Sequence, residues 1–188
     1  MRPEIVEREI LHAGYLTVER LRVRLADGAV VSREVERHGN AVAVLPYDVA
    51  RRTGLIVRLF RPPVFDAVGD EALEEACAGM IEAEDAATAV RREAHEELGV
   101  ALGVLEFVAR IWSSPGVSTE RQSLFLAAYG IADRIGAGGG VAGEHEGITV
   151  VERPLAELAT DVDNGRITDG KLLTLILALR LRQPALFA

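Results

Sequence analysis

The stretch from Ala78 to Val100, AGMIEAEDAATAVRREAHEELGV, is the most informative part of the chain, and its acidic residues are most closely spaced between residues 92 and 99. The pattern R-E-x-x-E-E-x-G there spaces Glu93, Glu96 and Glu97 three and four residues apart. In a helix those spacings put the three carboxylates on one face, one turn apart. Like charges so placed destabilise a helix by roughly 0.2–0.5 kcal/mol per pair, and a bound cation would reverse that effect. The alternative is a solvated acidic face whose charge is balanced by neighbouring arginines.

Local signals predict a helix from Asp85 to Leu98. Asp85 or Glu84 can cap its N-terminus, and Gly99 stands where a left-handed C-cap belongs. At ~100° per residue, the glutamates centre about 100° around the helix from an apolar stripe. That stripe consists of Ala87, Val90, Ala94 and Leu98. We therefore expect one side of the helix to pack, and an adjacent side to present carboxylates at the edge of a cleft.

Composition bounds the class of protein. The chain has 188 residues, of which 49% are hydrophobic and 27% are charged, as in a globular domain with a sizeable core. Its net charge of −8 argues against non-specific binding to nucleic acid or to an anionic membrane. The single cysteine, Cys77, allows no internal disulfide and is expected to be a buried structural thiol. The N-terminus has acids where a signal peptide needs an apolar run, so we expect a cytoplasmic protein.

Alternation and turn signals predict the other elements. Residues 5–10 are too charged to assign, and residues 64–70 are predicted to form a loop. We expect strands over residues 16–25, 29–37, 41–45, 55–60, 72–77, 102–109, 123–129 and 148–152, and further helices over 154–162 and 171–182. This order predicts an α/β fold, with an α/β/α sandwich around a mixed β-sheet and an N-terminal β-hairpin sheet.

The acidic segment resembles the Nudix box, G-x5-E-x7-R-E-U-x-E-E-x-G-U, in which U is apolar. The chain follows this pattern from Glu84 to Val100, but only four residues separate Gly79 from Glu84, one fewer than usual. The shortened front is similar to that of one subgroup, the GDP-mannose pyrophosphatases. The resemblance extends to SPGVSTE, GGGVAGEHEGI and ITDGK, and therefore to nearly the whole chain.

The resemblance implies a single Nudix hydrolase domain over residues 1–188, which cleaves the diphosphate of a nucleotide sugar with Mg²⁺, or with Mn²⁺ as the alternative ion. GDP-mannose, giving GMP and mannose 1-phosphate, is the preferred substrate, and ADP-ribose, giving AMP and ribose 5-phosphate, is the rival. A non-catalytic nucleotide-sugar binding module is a rival of another class, and the intact acidic box argues against it. The resemblance also implies a homodimer in which residues 1–38 contribute to the neighbour's site, with residues 39–188 as the Nudix core.

The candidate site starts from the box carboxylates. Glu93 and Glu97 can chelate one ion, and Glu96 can bridge or hold a second. By resemblance, the backbone carbonyl of Ala78 and a carboxylate of the Gly-rich loop join them as metal ligands. Glu146 is the preferred loop residue and Glu144 the reserve, so the predicted catalytic residues are Glu93, Glu96, Glu97 and Glu146.

Other positions match substrate contacts of the subgroup by resemblance. They are Tyr15, Arg33, Glu34, Arg61, Gly79, Glu120 and Lys171. Simpler roles stay open, since Arg33 could pair with Glu36 and Lys171 could be a solvated residue at a helix start. A lysine at a helix N-terminus is disfavoured by the helix dipole, so its position is better explained if an anion lies opposite it. Glu84 is expected to hold the box by pairing with Arg92.

Overall fold

The chain divides into two compact units. A computed structural model describes residues 1–141, 143 and 147–188. The first unit contains residues 1–40 and 110–122, and the second contains residues 41–109 and 123–188. A boundary near residue 38 was expected from the sequence, whereas the contribution of residues 110–122 to the first unit was not. Among the described residues, no helix combines the length and the apolar character needed to cross a membrane.

The first unit carries a three-stranded antiparallel sheet. Its strands are β1 (Glu4–Ala13), β2 (Thr17–Arg24) and β3 (Val30–Arg37), in the order β1-β2-β3. A tight turn joins the last two, where Gly28 has a φ of 91° that favours glycine. This is the hairpin expected from the sequence.

Strand β1 was too charged to assign from the sequence, and its cross-strand partners show how that charge is balanced. Glu7 pairs with Arg22 at 2.8 Å, and Glu4 pairs with Arg24 at 2.8 Å. Opposite charges that face each other across two strands stabilise the sheet. The charge that obscures the strand in the sequence is therefore matched by its neighbour in space.

In the part of the chain that the structure describes, the remaining strands form one mixed sheet, accompanied by four helices. The strand order is β10-β5-β4-β9-β8, with β6 beside β5 and β7 beside β4. The elements are β4 (Ala41–Asp48), β5 (Thr53–Leu59), α1 (Pro62–Val68), β6 (Leu73–Glu75), β7 (Cys77–Met80), α2 (Ala86–Leu98), β8 (Glu106–Trp112), β9 (Arg121–Ala128), β10 (Thr149–Pro154), α3 (Leu155–Asp163) and α4 (Gly170–Arg182).

Strands β6 and β7 enter a split in this sheet. Strands β4 and β5 pair only beside their connecting turn, at Tyr47–Gly54 and Asp48–Thr53. Further along, β6 pairs with β5 and β7 pairs with β4, both antiparallel. The chain therefore passes through the middle of the sheet immediately before it enters helix α2.

Helices cover the strands of the second unit. Ala89, Val90 and Leu98 of α2 join a buried cluster with Val42 and Val44 of β4. By strand alternation, Ala43 and Leu45 point to the other face, and both are fully buried. Helix α4 contacts β4 as well as α3. This is the α/β fold that the sequence predicts.

Some boundaries differ from expectation. Residues 62–68 form helix α1, although most of them were predicted to be a loop, because Pro62 begins the helix as readily as it ends the preceding strand. The strand predicted over residues 72–77 is two short strands broken at Ala76. Strand β8 begins four residues later than predicted, at Glu106.

Candidate active site

Helix α2 forms as predicted. The Asp85 side chain caps it by accepting hydrogen bonds from the backbone N–H groups of Ala87 and Thr88, each at 2.9 Å. Gly99 ends it in the left-handed conformation, at φ 65°. Ala87 is exposed and Ala89 takes its place in the buried face. Both ends of the acidic box are therefore fixed by local capping.

Glu97 is the most buried of the box glutamates, with 6% exposure. Its Oε2 accepts a hydrogen bond from the backbone N–H of Ala78 at 3.1 Å, which ties α2 to strand β7. The neighbouring Cys77 is buried, as predicted, and burial together with the charge of Glu97 raises the pKa of its thiol well above the ordinary value. Cys77 is therefore a protonated structural residue below the acidic helix.

Gly79 makes room for Glu93. A Cβ atom at position 79 would overlap the carboxylate of Glu93, so only glycine allows this side chain to lie against strand β7. The sequence motif places a glycine here, and the structure supplies the steric reason.

Arg92 is the central partner of the acidic box. Its Nη1 donates to Glu93 at 2.8 Å and to Glu96 at 3.1 Å, and its Nη2 donates to Glu84 at 2.9 Å. Nη2 also donates to the carbonyl oxygen of Met80 at 3.1 Å. The expected pairing of Glu84 with Arg92 is present, and one guanidinium offsets the repulsion among the carboxylates.

The glycine-rich segment binds the C-terminal end of α2. The backbone N–H of Gly139 donates to the carbonyl of Glu97 at 2.8 Å, and that of Gly140 donates to the carbonyl of Glu96 at 3.1 Å. Helix C-termini leave carbonyls without intrahelical partners, and these bonds satisfy two of them. The segment that leads towards Glu144 and Glu146 thus begins on the acidic helix, although Glu144 and Glu146 themselves lie outside the described residues.

Arg61 and Lys171, predicted as substrate contacts, meet at one buried carboxylate. Arg61 donates to Glu75 through Nε at 2.6 Å and Nη2 at 3.1 Å. Lys171 donates to Glu75 at 3.1 Å and to Asp169 at 2.7 Å. Lys171 is therefore not a solvated residue at a helix start, but part of a buried ion-pair cluster.

Four of the predicted residues belong to the first unit. Tyr15 and Glu120 both approach His38, with ring centroids 6.3 Å apart for Tyr15 and a 3.9 Å contact for Glu120. Arg33 donates to the carbonyl of Ser32 at 2.7 Å, and Glu34 lies 3.6 Å from Arg20.

The box has the donor chemistry of a divalent-cation site. Hard ions such as Mg²⁺ bind carboxylate oxygens, and the helix provides Glu93, Glu96 and Glu97 beside the backbone of Ala78. Gly79 leaves the space that the Glu93 carboxylate occupies. Within the described ranges, no three acidic, histidine or cysteine side chains surround a common point, and Arg92 lies against two of the carboxylates. The box residues are of the type that binds a divalent cation. The described side chains do not by themselves form a complete set of ligands around one point.

Comparison with known proteins agrees with this geometry. A family model described as NUDIX domain matches residues 37–169. The chain is 36% identical over 184 residues to a GDP-mannose pyrophosphatase of Cronobacter sakazakii, covering 95% of both chains. It is 34% identical over 178 residues to a GDP-mannose pyrophosphatase of Escherichia coli O1:K1, covering 92% of both. A crystal structure of an ADP compounds hydrolase shares the fold, with a TM-score of 0.77 at 18% identity over 98% of this chain and 96% of that one.

A matched family domain, a complete acidic box and a shared fold together define a class: this chain belongs to the Nudix family of hydrolases. It is a Nudix pyrophosphohydrolase. Nudix hydrolases generally need divalent metal ions.

Two acidic residues of the site were missed in the sequence. Glu75 is the buried last residue of strand β6, beside the partly buried Glu74, so the sequence shows only a pair of acids and not which of them is buried and paired. Asp169 caps helix α4 and also accepts a bond from Lys171, and neither role was predicted from the sequence. Long-range partners of this kind become visible only in the folded chain.

Proposed function

We propose that this protein hydrolyses the diphosphate bond of a nucleotide sugar with Mg²⁺, with GDP-mannose as the preferred substrate and GMP and mannose 1-phosphate as products. The observation that carries the proposal is the organised acidic helix, in which Arg92, Gly79 and Ala78 fix the three box glutamates. The relatives named GDP-mannose pyrophosphatase align with this chain over nearly its whole length, which supports the choice of sugar nucleotide.

The charges of the site suit this chemistry. Glu93, Glu96 and Glu97, with the carbonyl of Ala78 and with Glu146, would hold the metal, which neutralises phosphoryl charge and makes a water more nucleophilic. Arg61 and Lys171 would bind phosphate oxygens, because both donate charge-assisted hydrogen bonds. An acidic protein needs such local cations to accept a doubly charged diphosphate.

One screen tests the reaction and separates the alternatives. Purified protein with Mg²⁺ is offered GDP-mannose, ADP-ribose and other nucleoside diphosphate sugars, and released phosphomonoesters are measured. We expect the highest kcat/KM with GDP-mannose. Preferred turnover of ADP-ribose would reassign the substrate, and tight binding without any product would indicate a binding module instead of an enzyme.

Glu97→Gln tests the metal assignment. The substitution keeps the side-chain volume and an oxygen that can accept the Ala78 N–H bond, but removes a ligand charge. We expect kcat to fall by about 100-fold or more, with an unchanged circular dichroism spectrum, since a metal site loses one of its anionic ligands. Near-normal turnover in this variant would contradict the assignment.

We also propose a homodimer in which the N-terminal sheet contributes Tyr15, Arg33 and Glu34 to the neighbour's site. Strand β1 is at one edge of its sheet, and Ile10 on it is 65% exposed, while Tyr15 is 91% exposed. Exposed apolar side chains on an edge strand are costly unless a partner covers them. Sedimentation velocity should give a dimer at working concentration, and Ile10→Lys should shift it towards monomer. A monomeric wild-type protein would refute this arrangement.

A further inference from the structure

Arg61 and Lys171 both pair with one buried carboxylate at the end of strand β6. Arg61 follows strand β5 and Lys171 opens helix α4, yet both donate to the same Glu75 carboxylate, at 2.6 Å and 3.1 Å. Asp169 accepts from Lys171 at 2.7 Å and from the backbone N–H of Ala76 at 3.1 Å. Two residues remote in sequence are thereby held beside the strand that leads into the acidic box.

Exposure differs sharply between the acids and the cations of this cluster. The side chains of Glu75 and Asp169 are 4% and 7% exposed, that of Lys171 is 16% exposed, and that of Arg61 is 43% exposed. Arg61 uses Nε and Nη2 towards Glu75, so Nη1 takes no part in this pair. Lys171 uses two of the three protons of its ammonium group in the bonds to Glu75 and Asp169. The carboxylates lie inside, and each cation keeps an N–H donor that neither Glu75 nor Asp169 uses and that could bind an anion.

We propose that Glu75 and Asp169 are positioning residues that set Arg61 and Lys171 as a paired receptor for the phosphate groups of the substrate. This inference rests on the proposed function, because it names the two acids that hold Arg61 and Lys171 in position to bind the substrate's phosphates. Neither acid would contact the substrate.

The chain keeps this receptor in the neighbourhood of the acidic helix. The hydrogen bond to Glu75, with the charges of Glu75, Glu97 and Asp169, raises the pKa of Arg61 above its ordinary value, although burial alone would lower it. Glu97 is also bonded to Ala78, three residues after Glu75. A diphosphate held by the cations would therefore lie near the carboxylates proposed to hold the metal.

Two effects of removing Glu75 oppose each other. Loss of one negative charge makes the cluster more positive, which on its own would tighten anion binding. Against this, Arg61 and Lys171 would repel each other and lose the acceptor that fixes their geometry. We expect positioning to dominate, because the exposed Arg61 is screened by solvent and, among the described side chains, is oriented only by Glu75.

Glu75→Gln and Asp169→Asn test the inference, with Asp48→Asn as the matched control. Asn remains a good helix N-cap, so Asp169→Asn should fold even if Glu75→Gln does not. Asp48 is 4% exposed and pairs with Arg51 at 2.7 Å, so its variant also breaks a buried carboxylate–arginine pair, in another cluster. We expect each test variant to raise KM for the best nucleotide sugar about tenfold while kcat changes less than about threefold, the signature of lost binding common to ground and transition states. The control should keep the wild-type KM.

Calorimetric titration with inorganic pyrophosphate in EDTA separates this inference from the proposed function, since it needs no turnover. The wild type should bind pyrophosphate, and both test variants should bind it about tenfold more weakly. Unchanged or tighter binding in the folded test variants, a fall in kcat alone, or an equal loss in Asp48→Asn would overturn the inference. If the wild type turns over a nucleotide sugar but the test variants bind pyrophosphate as it does, the inference fails and the proposed function stands. If pyrophosphate binding weakens in the test variants as expected but the wild type turns over no nucleotide sugar, the proposed function fails and the inference stands.

Discussion

At the scale of single residues, the candidate site depends on Gly79, which has no side chain and so leaves space for a carboxylate. Gly79 lies on strand β7, and the Glu93 carboxylate occupies the space where a Cβ would be. Glu93 is also held by Arg92 at 2.8 Å, so it cannot move without breaking that bond. The glycine therefore acts by sterics, setting where a carboxylate stands.

Gly79→Ala should displace Glu93 and lower kcat by about tenfold or more, because a metal ligand would be moved from its place. The fold should persist, since the added methyl meets only the end of a side chain. Steady-state kinetics with a thermal melt would measure both effects. Gly103→Ala is the control, because a Cβ there meets nothing within 4 Å, and equal activities of the two variants would contradict the steric role of Gly79.

At the scale of elements, helix α2 and the glycine-rich segment stabilise each other. Gly138 has φ 71°, and a Cβ on it would overlap the carbonyl oxygen of Glu97. The N–H groups that follow it, from Gly139 and Gly140, complete the hydrogen bonding of the helix end. A close approach of two backbones is what makes glycine necessary here.

Gly138→Ala should destabilise the protein more than Gly165→Ala does. Gly165 has nearly the same φ, 68°, but a Cβ there meets nothing within 4 Å, so its variant measures the backbone strain alone. We expect about 1 kcal/mol of destabilisation for Gly165→Ala. The Gly138 variant should lose about 1–3 kcal/mol more from the steric overlap, together with a lower kcat. Chemical denaturation would measure the difference, and equal losses would show that the helix contact carries no energy.

At the scale of the whole molecule, acid sensitivity should come from a few buried carboxylates and not from the net charge of −8. Exposed ion pairs such as those of strand β1 contribute little, since solvent screens them. Glu75 and Asp48 differ, because both are buried: burial raises their pKa, but hydrogen bonds from Arg61 and Arg51 lower it by more, so that each ends below its ordinary value.

The free energy of unfolding should therefore fall as the pH drops below about 4. A carboxylate with a depressed pKa in the folded state protonates first in the unfolded chain, so its stabilisation is present above the unfolded pKa and lost as the pH falls through the folded pKa. Urea unfolding at pH 7 and pH 3 measures the change. Asp48→Asn should cost about 1–3 kcal/mol at pH 7 and show a smaller loss on acidification than the wild type. Parallel losses in the two proteins would contradict the assignment to Asp48.

The local sequence determined the parts of this protein that depend on near neighbours. The helix of the acidic box, its caps at Asp85 and Gly99, and the hairpin around Gly28 follow from residues within a few positions of one another. The Nudix spacing also identified the family, and the family model confirmed it. Strand β1 and helix α1 were not predicted, because a charged strand is recognised only by its partner, and Pro62 is compatible with a helix start as well as a strand end.

Which charged side chains pair with each other became clear only from the folded chain. The bonds of Arg61 and Lys171 to Glu75 join residues 14 and 96 positions apart, and the bond from Ala76 to Asp169 spans 93 positions. Periodicity describes the face on which a side chain lies, but it does not indicate what packs opposite that face. The acidic helix could therefore be recognised in the sequence, whereas the partners that hold the cations near it required the folded chain, because burial and pairing are properties of the packing between elements.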